Sequence, residues 1–198
     1  MRSTGMYLLF LFFSPGVHAQ SLQPGIYQSG LMIGYDEANR EVTGVFEDAS
    51  GWNEELKAPQ FSCIFYVEGV VDGDTIPVVS YYPGEEDSDT ITGTIVRLDA
   101  KTLLLRLDDD HGGCSNVSSF SNEPQLFELD QSRTWIQIRY VLKDKAWFYT
   151  DKSKGSKQKA YVIKYDFVCV ERVEGAWAYC TFYGEVITRG WLRVEDLN

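Results

Sequence analysis

The residues whose types and spacing could do chemistry are four cysteines, Cys63, Cys114, Cys169 and Cys180, and three runs of acidic side chains. Thiols can serve as staples, metal ligands or nucleophiles. A structural zinc site asks for close Cys-x-x-Cys pairs or histidine partners, and a redox-active pair asks for the same close spacing. The chain has no Cys-x-x-Cys, and His111 is its only histidine beyond residue 18. Neither a metal nor a cofactor is therefore expected, and the even cysteine count reads as two disulfides. In CVERVEGAWAYC (169–180), a two-residue turn at Glu174-Gly175 sets Cys169 opposite Cys180. Opposed residues of an antiparallel pair have Cα atoms about 4.5–5.5 Å apart, within disulfide range. Cys63 and Cys114 are left to pair with each other, one of three formal connectivities.

The acidic runs are YYPGEEDSDT (81–90), with Glu85, Glu86, Asp87 and Asp89; LDDDHGGCSN (107–116), with Asp108, Asp109 and Asp110; and GWNEEL, with Glu54 and Glu55. Calcium loops need oxygen ligands at set spacings, and no Asp-x-Asp-x-Asp-Gly pattern occurs. Glycoside hydrolysis needs two carboxylates about 5–10 Å apart, whereas consecutive residues on a strand point to opposite faces. No Ser–His–Asp order, phosphate loop or HExxH motif is present. The chain is read as a non-enzyme. Glu85, Glu86, Asp87, Asp108, Asp109 and Asp110 are read as acidic loops that attract a basic partner over long range.

The N-terminus has Arg2, an unbroken apolar run over 6–13, the breaker Ser14-Pro15-Gly16 and then Val17-His18-Ala19. That is the layout of a cleaved secretory signal over 1–19, too short to span a bilayer. Export permits disulfides, so the expected location is periplasmic or secreted, with no transmembrane segment. Between 20 and 130 there are 5 basic and 21 acidic residues, a net of −16; between 131 and 198 there are 12 and 8, a net of +4. This shift places a domain boundary near 130–132, giving an acidic domain over 20–132 and a second over 133–198.

Both parts read as strand. DTITGTIVRLD, QFSCIFYVEGVV, KTLLLRLD, TWIQIRYVL and KAYVIKYDFVCVERV are rich in β-branched and aromatic residues, with Asp-Gly, Pro-Gly and Gly-Gly between several of them. Only 123–129 suggests a helical turn. The expected class is all-β, and about eight strands fit the first part as a small up-and-down barrel or sandwich, lipocalin-like in outline.

From residue 146 onward, Trp147 and Tyr149 lead into a polar loop over 151–159, followed by KYDFVCV, GAWAYCTF and RGWLRVEDL. This order resembles a bacterial SH3 (SH3b-type) domain, with Trp177, Gly190, Trp191 and Leu197 as the specific matches. Tyr165 departs from it, standing where that family commonly has glycine, as do the added cysteines. The resemblance implies a small barrel that binds envelope ligands such as peptidoglycan or a protein partner. Trp177 and Trp191 are expected in its core. Trp147, Tyr149, Tyr161 and Tyr183 are expected on its binding face, because amphipathic rings suit exposed contact surfaces. Nucleic acid is a poor partner for an exported chain with pI near 4.6. The leading reading is an exported, non-catalytic binding protein of the bacterial envelope. The alternatives are a periplasmic inhibitor or immunity protein against a cell-wall hydrolase, and a hydrolase using acidic-loop carboxylates.

Overall fold

A computed structural model describes residues 22–85 and 88–198. The segment over 1–19 expected to be a secretory signal, together with Glu86 and Asp87, lies outside the described residues. The chain is all-β. Its first eight strands are β1 (Gly25–Tyr27), β2 (Leu31–Asp36), β3 (Glu41–Asn53), β4 (Ala58–Val70), β5 (Thr75–Tyr81), β6 (Ile91–Arg97), β7 (Thr102–Leu107) and β8 (Gln125–Ser132). They pair antiparallel in sequence order, and β8 returns to β1 to close a barrel. Residues 125–129, expected in a helical turn, belong to the closing strand instead. Phe127 faces the core from it while Leu126 and Glu128 are exposed, the alternation of a sheet with one wet face.

Inward-facing residues fill the barrel. Phe46 packs on Phe65, Phe120 and Phe127 with ring centroids 5.3, 4.9 and 6.0 Å apart, surrounded by Ile33, Val67, Ile76, Ile95 and Leu105. Each such side chain contributes about 1.5–3 kcal/mol by leaving water. The β2–β3 turn is held by Asp36, whose Oδ1 accepts from the Ala38 amide at 3.0 Å and whose Oδ2 accepts from Asn39 Nδ2 at 2.9 Å.

β3 and β4 outrun their neighbours. β2 follows β3 only as far as Leu31 opposite Phe46, and β5 joins β4 only at Tyr66 opposite Tyr81. Residues 47–53 and 58–64 are therefore laddered only to one another, up to Asn53 opposite Ala58. They form a hairpin arm that projects from the barrel. Its root is tied by the Cys63–Cys114 disulfide and by Ser50 Oγ donating to the Asn116 carbonyl at 2.8 Å.

The remaining strands are β9 (Gln137–Tyr140), β10 (Lys145–Tyr149), β11 (Lys157–Ile163), β12 (Phe167–Glu174), β13 (Trp177–Tyr183) and β14 (Ile187–Arg193). They make a six-stranded sheet in the order β11-β10-β14-β13-β12-β9. Its inner face buries Ala146, Phe148, Val162, Val168, Val170, Ala178, Cys180 and Leu192.

The second disulfide does not form. Glu174 pairs with Trp177, so the turn is Gly175-Ala176, one residue further along than expected. A bulge between Val170 and Arg172 then leaves Cys169 opposite Thr181 and Cys180 opposite Val170. Cys180 joins the inner core, while Cys169 packs with Trp135, Ile138 and Val45 at the contact with the barrel. The two thiols lie on opposite faces and remain free and buried.

Candidate functional site

Alternation along β10, β13 and β14 turns one set of side chains inward and the other outward. The inner set is the core named above, so Trp147, Tyr149, Trp177, Tyr179, Trp191 and Arg193 share the outer face. There the rings associate in pairs: Trp147 with Tyr161 at 5.1 Å, Tyr149 with Trp177 at 5.0 Å and Tyr179 with Trp191 at 5.3 Å. Cations cover them. Lys157 Nζ stands 3.7 Å from the Trp147 ring centroid, and Lys145 Nζ 4.2 Å from that of Tyr161. Arg193 lies over Trp177 at 4.8 Å, and Arg172 lies over Tyr179 at 4.2 Å and Trp191 at 4.9 Å. Each such contact contributes about 0.5–1 kcal/mol at an exposed site.

Trp177 and Trp191, expected in the core because large rings commonly serve packing, are instead buried beneath cationic side chains on the outer face. Trp147, Tyr149 and Tyr161 lie on this face, Tyr161 44% exposed. Tyr183 lies away from them at the contact with the barrel, its ring 5.6 Å from Trp135 and its hydroxyl accepting from Arg133 Nε at 3.3 Å. The sequence reading missed Tyr179, Arg172 and Arg193 as members of this face. For Tyr179 and Arg193 the signal is the alternation in AWFY, WAYC and GWLR, which sets ring or cation at every second position, whereas Arg172 reaches this face only through the bulge between Val170 and Arg172.

Residues 82–85 and 88–90 meet the loop over 108–113 at one end of the barrel. Tyr82 donates its hydroxyl to the Gly112 carbonyl at 2.9 Å, and His111 Nδ1 stands 3.2 Å from Asp89 Oδ2. Glu85, Asp108 and Asp109 are exposed there. Asp108 accepts a hydrogen bond from Thr92, while Asp110 is turned into the protein. Its carboxylate accepts from Ser119 Oγ and Ser121 Oγ at 2.7 and 2.9 Å and from the Phe120 and Ser121 amides at 2.7 and 3.1 Å. Burial pushes this carboxyl up, but the four hydrogen bonds outweigh burial and hold it below the usual carboxylate range. Through these bonds Asp110 organises its own loop.

Although the chain has no Ser–His–Asp order, folding assembles one in space. Ser80 Oγ lies 2.8 Å from His111 Nε2, on the far side of the ring from Asp89. A nucleophilic serine must present its oxygen to substrate. Ser80 is wholly buried, donates to the Ile91 carbonyl at 3.2 Å, and His111 beside it is sealed beneath Phe65 and Tyr82. In this conformation the trio braces the strand against the two loops.

Barrel and second sheet are joined by direct bonds. Tyr66 donates its hydroxyl to the Ile138 carbonyl at 3.0 Å, and the Ile138 amide donates to Thr43 Oγ1 at 2.7 Å. Burial, reinforced by Glu68, pushes both Tyr66 and Tyr81 phenols far up, so they stay neutral donors. Beside this seam a cleft of about 580 Å³ opens between Val42, Val70, Pro77, Glu68 and Arg139. The free thiols are also pushed far up by burial, which keeps them protonated and unreactive at neutral pH. Among the described residues, no group of three or more His, Cys, Asp or Glu is arranged to hold a metal ion. No helix among the described residues is long and apolar enough to cross a membrane.

No protein-family model matches the chain, and no curated protein or solved structure matches it significantly.

Proposed function

We propose that this protein is an exported, non-catalytic binding protein of the bacterial envelope, whose second sheet is an SH3b-like module that holds an anionic cell-wall polymer. The observation that carries the reading is the outer face of that sheet, where Lys145 and Lys157 flank the Trp147–Tyr161 pair. Rings of this kind stack on sugar faces through their apolar surface, and ammonium groups beside them pair with carboxylate or phosphate. The backbone at Tyr165 adds support. Its φ of 73° is the left-handed conformation that glycine favours, at the position where the resemblance has glycine. The disulfide at Cys63–Cys114 fits an oxidising compartment.

The test is co-sedimentation of the full chain with purified sacculi. The wild type is expected in the pellet. Replacing Trp147 and Tyr161 together by alanine is expected to weaken retention about tenfold, equivalent to about 1.4 kcal/mol. Wild-type protein left in the supernatant, or a variant retained as well as wild type, overturns the reading.

A further inference from the structure

We infer that the β3–β4 arm is a docking arm that inserts its tip into an apolar groove of a basic protein. Trp52, Leu56 and Phe61 are 60, 74 and 41% exposed on it. Trp52 pairs with Pro59 and Ser50 with Phe61 in one continuous register, so Trp52, Pro59 and Phe61 occupy alternate positions of the same hairpin face. That face is continuous with the Phe46–Phe65 pair of the barrel core, which the same register sets further along the two strands. The loop over 110–121 reaches this face at Cys63 through the disulfide and at Ser50 through its hydrogen bond to Asn116, and from the Ser50–Phe61 pair outward Phe61 and Trp52 remain exposed. Large rings at the end of a projecting hairpin are contact anchors, and most interface energy comes from a few such side chains.

Charge selects the occupant. Residues 47–62 hold Glu47, Asp48, Glu54 and Glu55 against Lys57, a net of −3. Lys57 is spent on Glu54 at 2.7 Å, and among the described residues Glu47, Asp48 and Glu55 form no ion pair. The arm belongs to a segment of net −16. An anionic lipid surface repels it, and so does a second arm of the same kind. Pro59 lacks an amide hydrogen, which blunts the strand edge against strand addition. What remains is a protein groove with an apolar floor and a basic rim, attracted by the acidic field and held by Trp52 and Leu56. The inference does not depend on the wall-binding face, which lies on the other sheet.

The probes are two basic wall hydrolases, egg-white lysozyme and a strongly basic bacterial amidase, each titrated with the full chain at low and high salt. Binding to at least one is expected, weakening as salt rises. Trp52→Ser with Leu56→Ser is expected to weaken it about thirtyfold or more, whereas replacing Trp147 and Tyr161 by alanine leaves it unchanged. In the wild type, docking is also read as reduced quenching of Trp52 fluorescence, taken by difference against Trp52→Phe. No binding to either enzyme, unchanged binding by the arm variant, or unchanged quenching of Trp52 in the complex overturns the inference. Loss of sacculus retention with arm binding intact would strike the wall-binding proposal alone.

Discussion

Consider replacing Cys63 and Cys114 together by alanine. The bridge joins residues 51 apart in sequence, from the root of the hairpin arm to the loop braced by Asp110. Restricting a loop of that size in the unfolded chain contributes roughly 4 kcal/mol on the chain-entropy model. Both cysteines are buried, so alanine removes the sulfur without exposing a polar group. At about 2–4 °C per kcal/mol for a chain of this size, the thermal midpoint is expected to fall by roughly 8–16 °C. Urea unfolding reads the same change as a lower midpoint. Alkylation of denatured, unreduced protein supplies an independent check: two thiols, Cys169 and Cys180, should be modified. A stability loss below about 1 kcal/mol would refute the entropic reasoning. Four modified cysteines would remove the bridge altogether, and none would restore a second one.

Two further predictions concern how the parts are held together. At Gly34 a methyl group would stand 2.6 Å from the Gln137 carbonyl carbon and 2.8 Å from the Ile138 amide nitrogen, both backbone atoms, so Gly34→Ala must push β9 off the barrel. A loss of about 1–3 kcal/mol is expected, and an unchanged urea midpoint would show that the two sheets do not pack as described. Asp110 has its folded carboxyl held below the unfolded value of about 3.9. Its contribution is therefore present above about pH 4 and lost as pH falls through the folded value. Asp110→Asn should be less stable at neutral pH and show a shallower acid limb; parallel pH–stability curves for variant and wild type would count against it.

Much of the fold is legible residue by residue. The β-branched run over 91–97 is β6, Asp36 with the polar residues after it makes the β2–β3 turn, and the strand count of the first part suffices for closure. The position of Trp147, Tyr149 and Tyr161 on one outer face follows from alternation about Ala146, Phe148 and Val162. Cys169 and Cys180 do not pair because the turn lies one residue further along, at Gly175-Ala176, and because of a single bulged residue at Glu171, which is invisible to a count of spacings. One residue of shift turns a side chain to the other face of a sheet.

Composition and periodicity by themselves determined that this chain is all-β, that its first part is acidic and its second basic, and that Cys63 and Cys114 were available to each other. Only tertiary structure decided that His111 sits between Ser80 and Asp89, that Asp110 turns inward, and that β3 and β4 run past their neighbours into an exposed arm. The physical reason is range. Strand and turn preferences act over a few adjacent residues, whereas each of these outcomes depends on where a distant strand ends and which face its register presents.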